Sequence, residues 1–143
     1  MTRILPLLVL AACLTSLSLA AEEEKPPTAT HGGVPRLVGD DIVELVQDST
    51  AGALTIYLTG EDQKPYAIAP QPLTAQVKVS GEVALISVQL QPKPQPGDPA
   101  GKTSAFAGSD PGLVGKTGST IILRIELDEK LQRVVFAGGK LTK

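Results

Sequence analysis

LTAQVKVSGEVALISVQL, running from Leu73 to Leu90, is the stretch whose reading decides the fold. Leu73, Ala75, Val77 and Val79 alternate with Thr74, Gln76, Lys78 and Ser80, so one face is apolar and the other is wet. After Ser80-Gly81-Glu82 the chain resumes at Val83 and runs to Leu90, with Ala84, Ile86, Val88 and Leu90 on its inward face. A period of two is the geometry of a strand, and two such runs around a glycine turn predict an antiparallel hairpin.

The same grammar extends in both directions. Upstream, Leu54, Ile56 and Leu58 alternate with Thr55, Tyr57 and Thr59, and Ile42-Val43-Glu44-Leu45-Val46 forms another short run closed by the turn residues 47–52. Tyr66-Ala67-Ile68, flanked by prolines, reads as an edge segment, where a missing N–H is tolerated. Downstream, residues 91–101 are too rich in proline for a central strand and read as a loop before Thr103 to Ala107. A second loop follows from Gly108 to Ser119. Ile121, Leu123, Ile125 and Leu127 then pair across Asp128-Glu129-Lys130 with Leu131 to Ala137. No segment carries a helical period. About seven short strands separated by turn signals predict an all-β domain over residues 31–143, a single antiparallel immunoglobulin-like sandwich, with a closed barrel as the alternative.

Residues 1–20 have a different character. Arg3 precedes an apolar run from Ile4 toward Leu19, and Ser18-Leu19-Ala20 stands before Ala21 and three glutamates. A charged start, an apolar core and small residues at a cut site make a secretory signal peptide, which places the mature chain in the periplasm or outside the cell. Leu10-Ala11-Ala12-Cys13 also fits a lipobox, but the segment after Cys13 is apolar where a lipoprotein tether is polar, so cleavage after Ala20 is favoured over a lipid anchor on Cys13. No later segment is apolar enough to span a bilayer. Residues 21–30, acidic and proline-rich, read as a flexible linker.

Composition narrows the functional classes. The leader removes only Arg3 from 13 Lys and Arg set against 15 Asp and Glu, so the mature chain is mildly acidic and has no basic run. Nucleic acid, which selects clusters of Lys and Arg, is excluded as a partner. The single Cys and the single Met both fall within the leader, and the aromatic residues are Phe106, Phe136, Tyr57 and Tyr66. Stability must therefore come from an aliphatic core without a disulfide.

Catalytic patterns are weak. Gly101-Lys102-Thr103 and Gly115-Lys116-Thr117 resemble the end of a phosphate loop, but the required upstream glycine is replaced by Pro96 and Asp110. Asp40-Asp41 and Glu61-Asp62 are adjacent pairs whose side chains diverge, and they read as solvated turn charges. Asp98 and Asp110, each followed by proline, read as loop anchors that accept from backbone N–H groups. His31-Gly32-Gly33 is the one candidate site: an imidazole suits copper or zinc, and Glu22 to Glu24, or Asp40 and Asp41, are the oxygen ligands that could complete a weak centre.

His31-Gly32-Gly33, the strand Gly52-Ala53-Leu54-Thr55-Ile56-Tyr57-Leu58 and the loop Asp98-Pro99-Ala100-Gly101-Lys102-Thr103-Ser104-Ala105-Phe106 together resemble a group of small, largely uncharacterised exported bacterial proteins with HGG, GxLTxYL and DPxGKxSxF motifs. That group is distantly similar to YtkA-like periplasmic sandwiches and sometimes accompanies heavy-metal efflux systems. The resemblance implies an exported sandwich and an association with metal that falls on His31 alone. The expectation is a non-enzymatic binding or accessory module, without a cofactor, acting through its sheet edges and loops on an envelope protein. The alternative is a soluble Cu or Zn carrier centred on His31.

Overall fold

Eight strands account for most of the chain between Val34 and Ala137 in a computed structural model that describes residues 26–137. The signal peptide, Cys13, the cut after Ala20 and the first part of the linker lie outside the described residues. The strands are β1 (Val34–Val38), β2 (Asp41–Asp48), β3 (Ala53–Thr59), β4 (Leu73–Lys78), β5 (Leu85–Pro92), β6 (Ala105–Ser109), β7 (Thr120–Leu127) and β8 (Lys130–Ala137). A single 3-10 turn, Pro111–Leu113, is the only helical piece among the described residues. No helix there is long and apolar enough to cross a membrane.

All pairings are antiparallel, in the order β1-β2-β3-β6-β5-β4-β7-β8. The domain is all-β as expected, with eight strands in one continuous sheet curled nearly into a barrel. β5 makes that continuity: residues 85–90 pair with β4, and Gln91 and Pro92 pair with β6. The two ends of the sheet come together at a seam between β1 and β8. No ladder joins them. Instead Arg36 donates from Nε to the carbonyl of Val135 at 3.2 Å and holds its guanidinium 5.9 Å from the centre of the Phe136 ring.

Alternation explains the core. Leu54, Ile56 and Leu58 of β3, Leu73, Ala75 and Val77 of β4, and Ile121, Leu123, Ile125 and Leu127 of β7 all point inward and are buried. Phe106 and Phe136 join this otherwise aliphatic interior. The closing hairpin forms as expected but one residue tighter: Leu127 stands opposite Lys130, which belongs to the strand, and Asp128 and Glu129 at φ 50° and 62° make a two-residue turn of the kind that matches strand twist.

Three further details differ from the sequence reading. β5 begins at Leu85, so Ala84 is exposed, Val83 is 99% exposed, and Ile86 is only half-buried. The glycine turn there is a longer loop, closed by the Glu82 amide donating to the Val79 carbonyl at 3.1 Å and by the Lys116–Glu82 ion pair at 2.5 Å. Tyr66-Ala67-Ile68 is not an edge strand; Pro65 and Ile68 each form one isolated bridge, to Thr59 and Thr103. β1 carries no clear alternation, since Pro35 and Arg36 occupy its centre, and it is recognisable only from its pairing with β2.

Candidate functional site

Ile42-Val43-Glu44-Leu45-Val46 does not alternate in burial: Ile42, Val43, Glu44 and Leu45 are all buried. Register resolves this. Val43 pairs with Leu58 and Leu45 with Ile56, which fixes the inner face, so Glu44, opposite Tyr57, faces outward. A carboxylate on the outer face of a sheet should be wet, yet Glu44 is 0% exposed. It is covered by residues 26–33, which cross the outside of β2 and β3 as a strap before β1 begins.

Glu44 is the hook on which that strap hangs. Its Oε1 accepts from the amides of Gly33 at 2.7 Å and His31 at 2.9 Å. Oε2 accepts from the amide of Thr30 at 2.9 Å, the Thr30 hydroxyl at 3.1 Å and the His31 amide at 3.1 Å. Burial pushes the Glu44 carboxyl upward, but the Gly33, Thr30 and His31 amides and the His31 ring outweigh it and hold the group below the ordinary glutamate value. The two glycines serve this closure. Gly32 adopts φ 76°, and a Cβ on Gly33 would lie 2.3 Å from the Leu45 carbonyl oxygen.

His31 is held as firmly as the backbone beneath it. Nδ1 lies 3.2 Å from Glu44 Oε2 and 2.9 Å from Thr30 Oγ1. A carboxylate can only accept, and the Thr30 hydroxyl spends its proton on Glu44, so Nδ1 carries a hydrogen, and it is Nε2 that holds the lone pair of the neutral ring. The imidazole lies flat on Tyr57, with ring centres 3.7 Å apart and planes 3° from parallel.

His31 and Thr30 form one wall of a cleft of about 410 Å³. Tyr57, Leu58 and Thr59 from the end of β3 also line it, with Gln63 and Pro65 from the β3–β4 connection and Gln95, Pro96 and Ser104 from the β5–β6 connection. That last connection is pinned as expected: Asp98 Oδ2 accepts from the amides of Gln95 at 2.7 Å and Ser104 at 2.9 Å. Burial pushes the Asp98 carboxyl up, and the bonds from Gln95 and Ser104 bring it below its ordinary value. Asp110 likewise anchors its own loop, accepting from the Gly112 amide at 2.7 Å.

Asp40 and Asp41 are not brought to His31. Asp40 lies in the β1–β2 turn and Asp41 opens β2, three residues from Glu44, about 10 Å at strand rise, while Glu22 to Glu24 lie outside the described residues. Burial, then Asp128 and Asp40, raise the Asp41 carboxyl. Next to it Tyr66 donates to Asp128 at 2.7 Å, and that bond, with burial, pushes the Tyr66 phenol up to about 12. Among the described residues no three or more His, Cys, Asp or Glu side chains gather as a metal centre. His31 offers a cation one nitrogen, and the lone pairs of its carboxylate neighbour are already taken by N–H donors.

Sequence reasoning found His31 and missed Glu44, Thr30 and Tyr57 as its partners. The available signal was a carboxylate in the middle of an apolar run. Comparison of the chain with known protein families, curated proteins and solved structures gives no match.

Proposed function

We propose that this chain is an exported, non-enzymatic binding or accessory module of the cell envelope that engages a protein partner through the His31–Tyr57 cleft and its surrounding loops. One observation carries the reading: three motifs far apart in sequence converge on this cleft. HGG supplies His31, GxLTxYL supplies Tyr57 and Leu58, and DPxGKxSxF supplies Ser104 and the aspartate that holds Gln95 in place. Export rests on the leader of residues 1–20, and the periplasm is the compartment it implies. The resemblance to exported sandwich proteins, some of them neighbours of metal efflux systems, agrees with an envelope role. The finer description of the domain as an immunoglobulin-like sandwich is supported by its short, wholly antiparallel strands and their non-sequential order.

The seam bears on how a partner would approach. β1 and β8 face each other across Arg36, which leaves the sheet edges less open than those of a flat sandwich and favours the cleft as the contact surface. A photo-crosslinking residue at Gln95, in the cleft, and another at Gln76, on the outer face of β4, test this in intact cells. A discrete adduct with one envelope protein from position 95 alone is expected; equal adducts from both positions, or none, would sink the reading.

Glu44 favours one further reading, a soluble Cu or Zn carrier. Carboxylates commonly orient the ring of a metal-bound histidine through its second nitrogen, and Glu44 stands in that relation to His31. Calorimetric titration with Cu²⁺ and Zn²⁺ beside His31→Ala decides it. One-to-one binding abolished by the substitution supports the carrier, and binding weaker than about 0.1 mM removes it.

A further inference from the structure

Arg124 and Arg133 stand directly opposite each other in the β7–β8 ladder. Leu123, Ile125 and Val134 beside them point into the core, so both arginines project from the outer face, where they are exposed. Like charges in facing positions destabilise a sheet. Neither guanidinium takes part in an ion pair or a hydrogen bond among the described residues. Glu126, diagonal to Arg133, has its backbone tied to the Gln71 side chain at 3.0 and 3.1 Å, but its carboxylate pairs with neither arginine. Two facing, unneutralised guanidinium groups suit a carboxylate ligand, which they bind through parallel N–H donors.

The chain carries such carboxylates a short distance away. Pro26, the first described residue, lines a cavity with Leu37 and Asp40 at the end of β1. Eight strands, each antiparallel to the next, leave β1 and β8 running in opposite directions across the seam. Arg36 meets Val135 there, so Leu37 and Val38 lie toward Arg133. Glu22-Glu23-Glu24 stand two to four residues upstream of Pro26, about 7 to 14 Å of extended chain. β8 and β7 lie one and two strand spacings beyond β1, about 5 Å each in a paired sheet. The other charges near Pro26 turn the triplet the same way. Asp40, Asp41, Glu61 and Asp128 at this end of the barrel repel it, and Lys64 already faces Asp62 at 3.7 Å.

We propose that Glu22-Glu23-Glu24 dock across the seam on Arg124 and Arg133, extending the strap from β2 and β3 to β7 and β8. This latch is separate from the His31 cleft and goes beyond the binding role proposed for it. Exposed ion pairs are weak, so salt releases the latch, and under load it gives way before the Glu44 bonds.

The test uses the protein expressed from its full sequence and purified as exported, labelled with ¹⁵N, beside a variant carrying Glu22→Gln, Glu23→Gln and Glu24→Gln. At about 20 mM salt the Arg124 and Arg133 Nε–H signals should differ between the two proteins, and at about 0.5 M the difference should vanish. It should be independent of protein concentration and survive Lys130→Gln, and at Arg124 it should be lost in Arg133→Gln. Melting gives a second readout. In the triple glutamine background Arg133→Gln only relieves repulsion and should raise the melting point by about 2 °C; in the native chain it also removes the latch and should give no rise. Identical arginine signals in the two proteins, equal loss in Lys130→Gln, or the same melting shift from Arg133→Gln in both backgrounds overturns the proposal. A difference that grows with protein concentration also overturns it, by assigning the triplet to a second copy of the chain.

Discussion

Glu44→Gln is the most informative single substitution, because it changes one atom at the hook and almost no volume. The native carboxylate has two acceptor oxygens, and it receives the amides of Thr30, His31 and Gly33, the Thr30 hydroxyl and the His31 ring. Glutamine keeps one oxygen. If that oxygen stays toward Gly33 and His31, the new NH₂ meets the Thr30 amide and the Nδ1 hydrogen, donor against donor. A buried donor left unpaired costs about 1–3 kcal/mol, and turning two charge-assisted bonds into neutral ones costs about 1 kcal/mol each. The sum is about 3–5 kcal/mol against docking of the strap. In a domain of this size each kcal/mol moves the melting point by about 4 °C, so a fall of about 20 °C is the ceiling if the strap and the barrel unfold together. If the strap opens first, the loss appears instead as faster amide exchange at Thr30, His31 and Gly33. The pH dependence follows from sign. The folded Glu44 carboxyl lies below its unfolded value of 4.5, so its stabilisation is fully present above that pH and fades as the pH falls through the folded value. In the glutamine variant this part of the acid slope should vanish. Urea titrations from pH 7 to 3, with exchange read by NMR, measure both effects. A change under about 0.5 kcal/mol with unaltered exchange at the three amides would refute the hook.

Other expectations can be checked with the same methods. Gly33→Ala places a Cβ 2.3 Å from the Leu45 carbonyl oxygen, a backbone atom that cannot step aside, so the strap should lift at a cost of about 2 kcal/mol and the His31–Tyr57 ring-current shifts should disappear. Arg36→Met removes the tie to Val135 while keeping an apolar stem, and should cost about 1–2 kcal/mol, with exchange accelerating first along β1 and β8. Tyr66 should ionise near 12 in an ultraviolet titration, and Tyr66→Phe should remove that component; because the folded value is raised, the stabilisation is present below about 10 and is lost as the pH climbs toward 12.

What could be read from sequence was what a period of two controls. β3, β4, β7 and β8 have one face in the core and one in water, so Leu54-Thr55-Ile56 or Ile125-Glu126-Leu127 declare themselves residue by residue. β2 is covered on both faces, and its burial pattern erases the alternation that marks the others. β1 and the strap have no pattern of their own, since Pro35 and Arg36 interrupt the first and the second is held by bonds to a residue 11 to 14 positions away. Asp98 and Asp110 were legible as anchors because their partners are local. His31 was legible as a lone imidazole, whereas its company was not: Glu44 and Tyr57 meet it only through the cross-strand register of β2 and β3. The additional strand is β1, which declares itself only by pairing with β2, and the step from facing sheets to a nearly closed ring depends on β5 serving two neighbours, which no local pattern encodes.

The strap also sets how the domain bears load. Tension arriving from the N-terminal side reaches the Glu44 hydrogen bonds before it reaches any strand, and those bonds cluster on one side chain instead of being spread along a ladder. They would therefore give way together, paying out the slack of residues 26–33 while the β1–β2 ladder and the core remain intact. The hook makes the start of the domain a short extensible tether, able to lengthen under pull without unfolding what it carries.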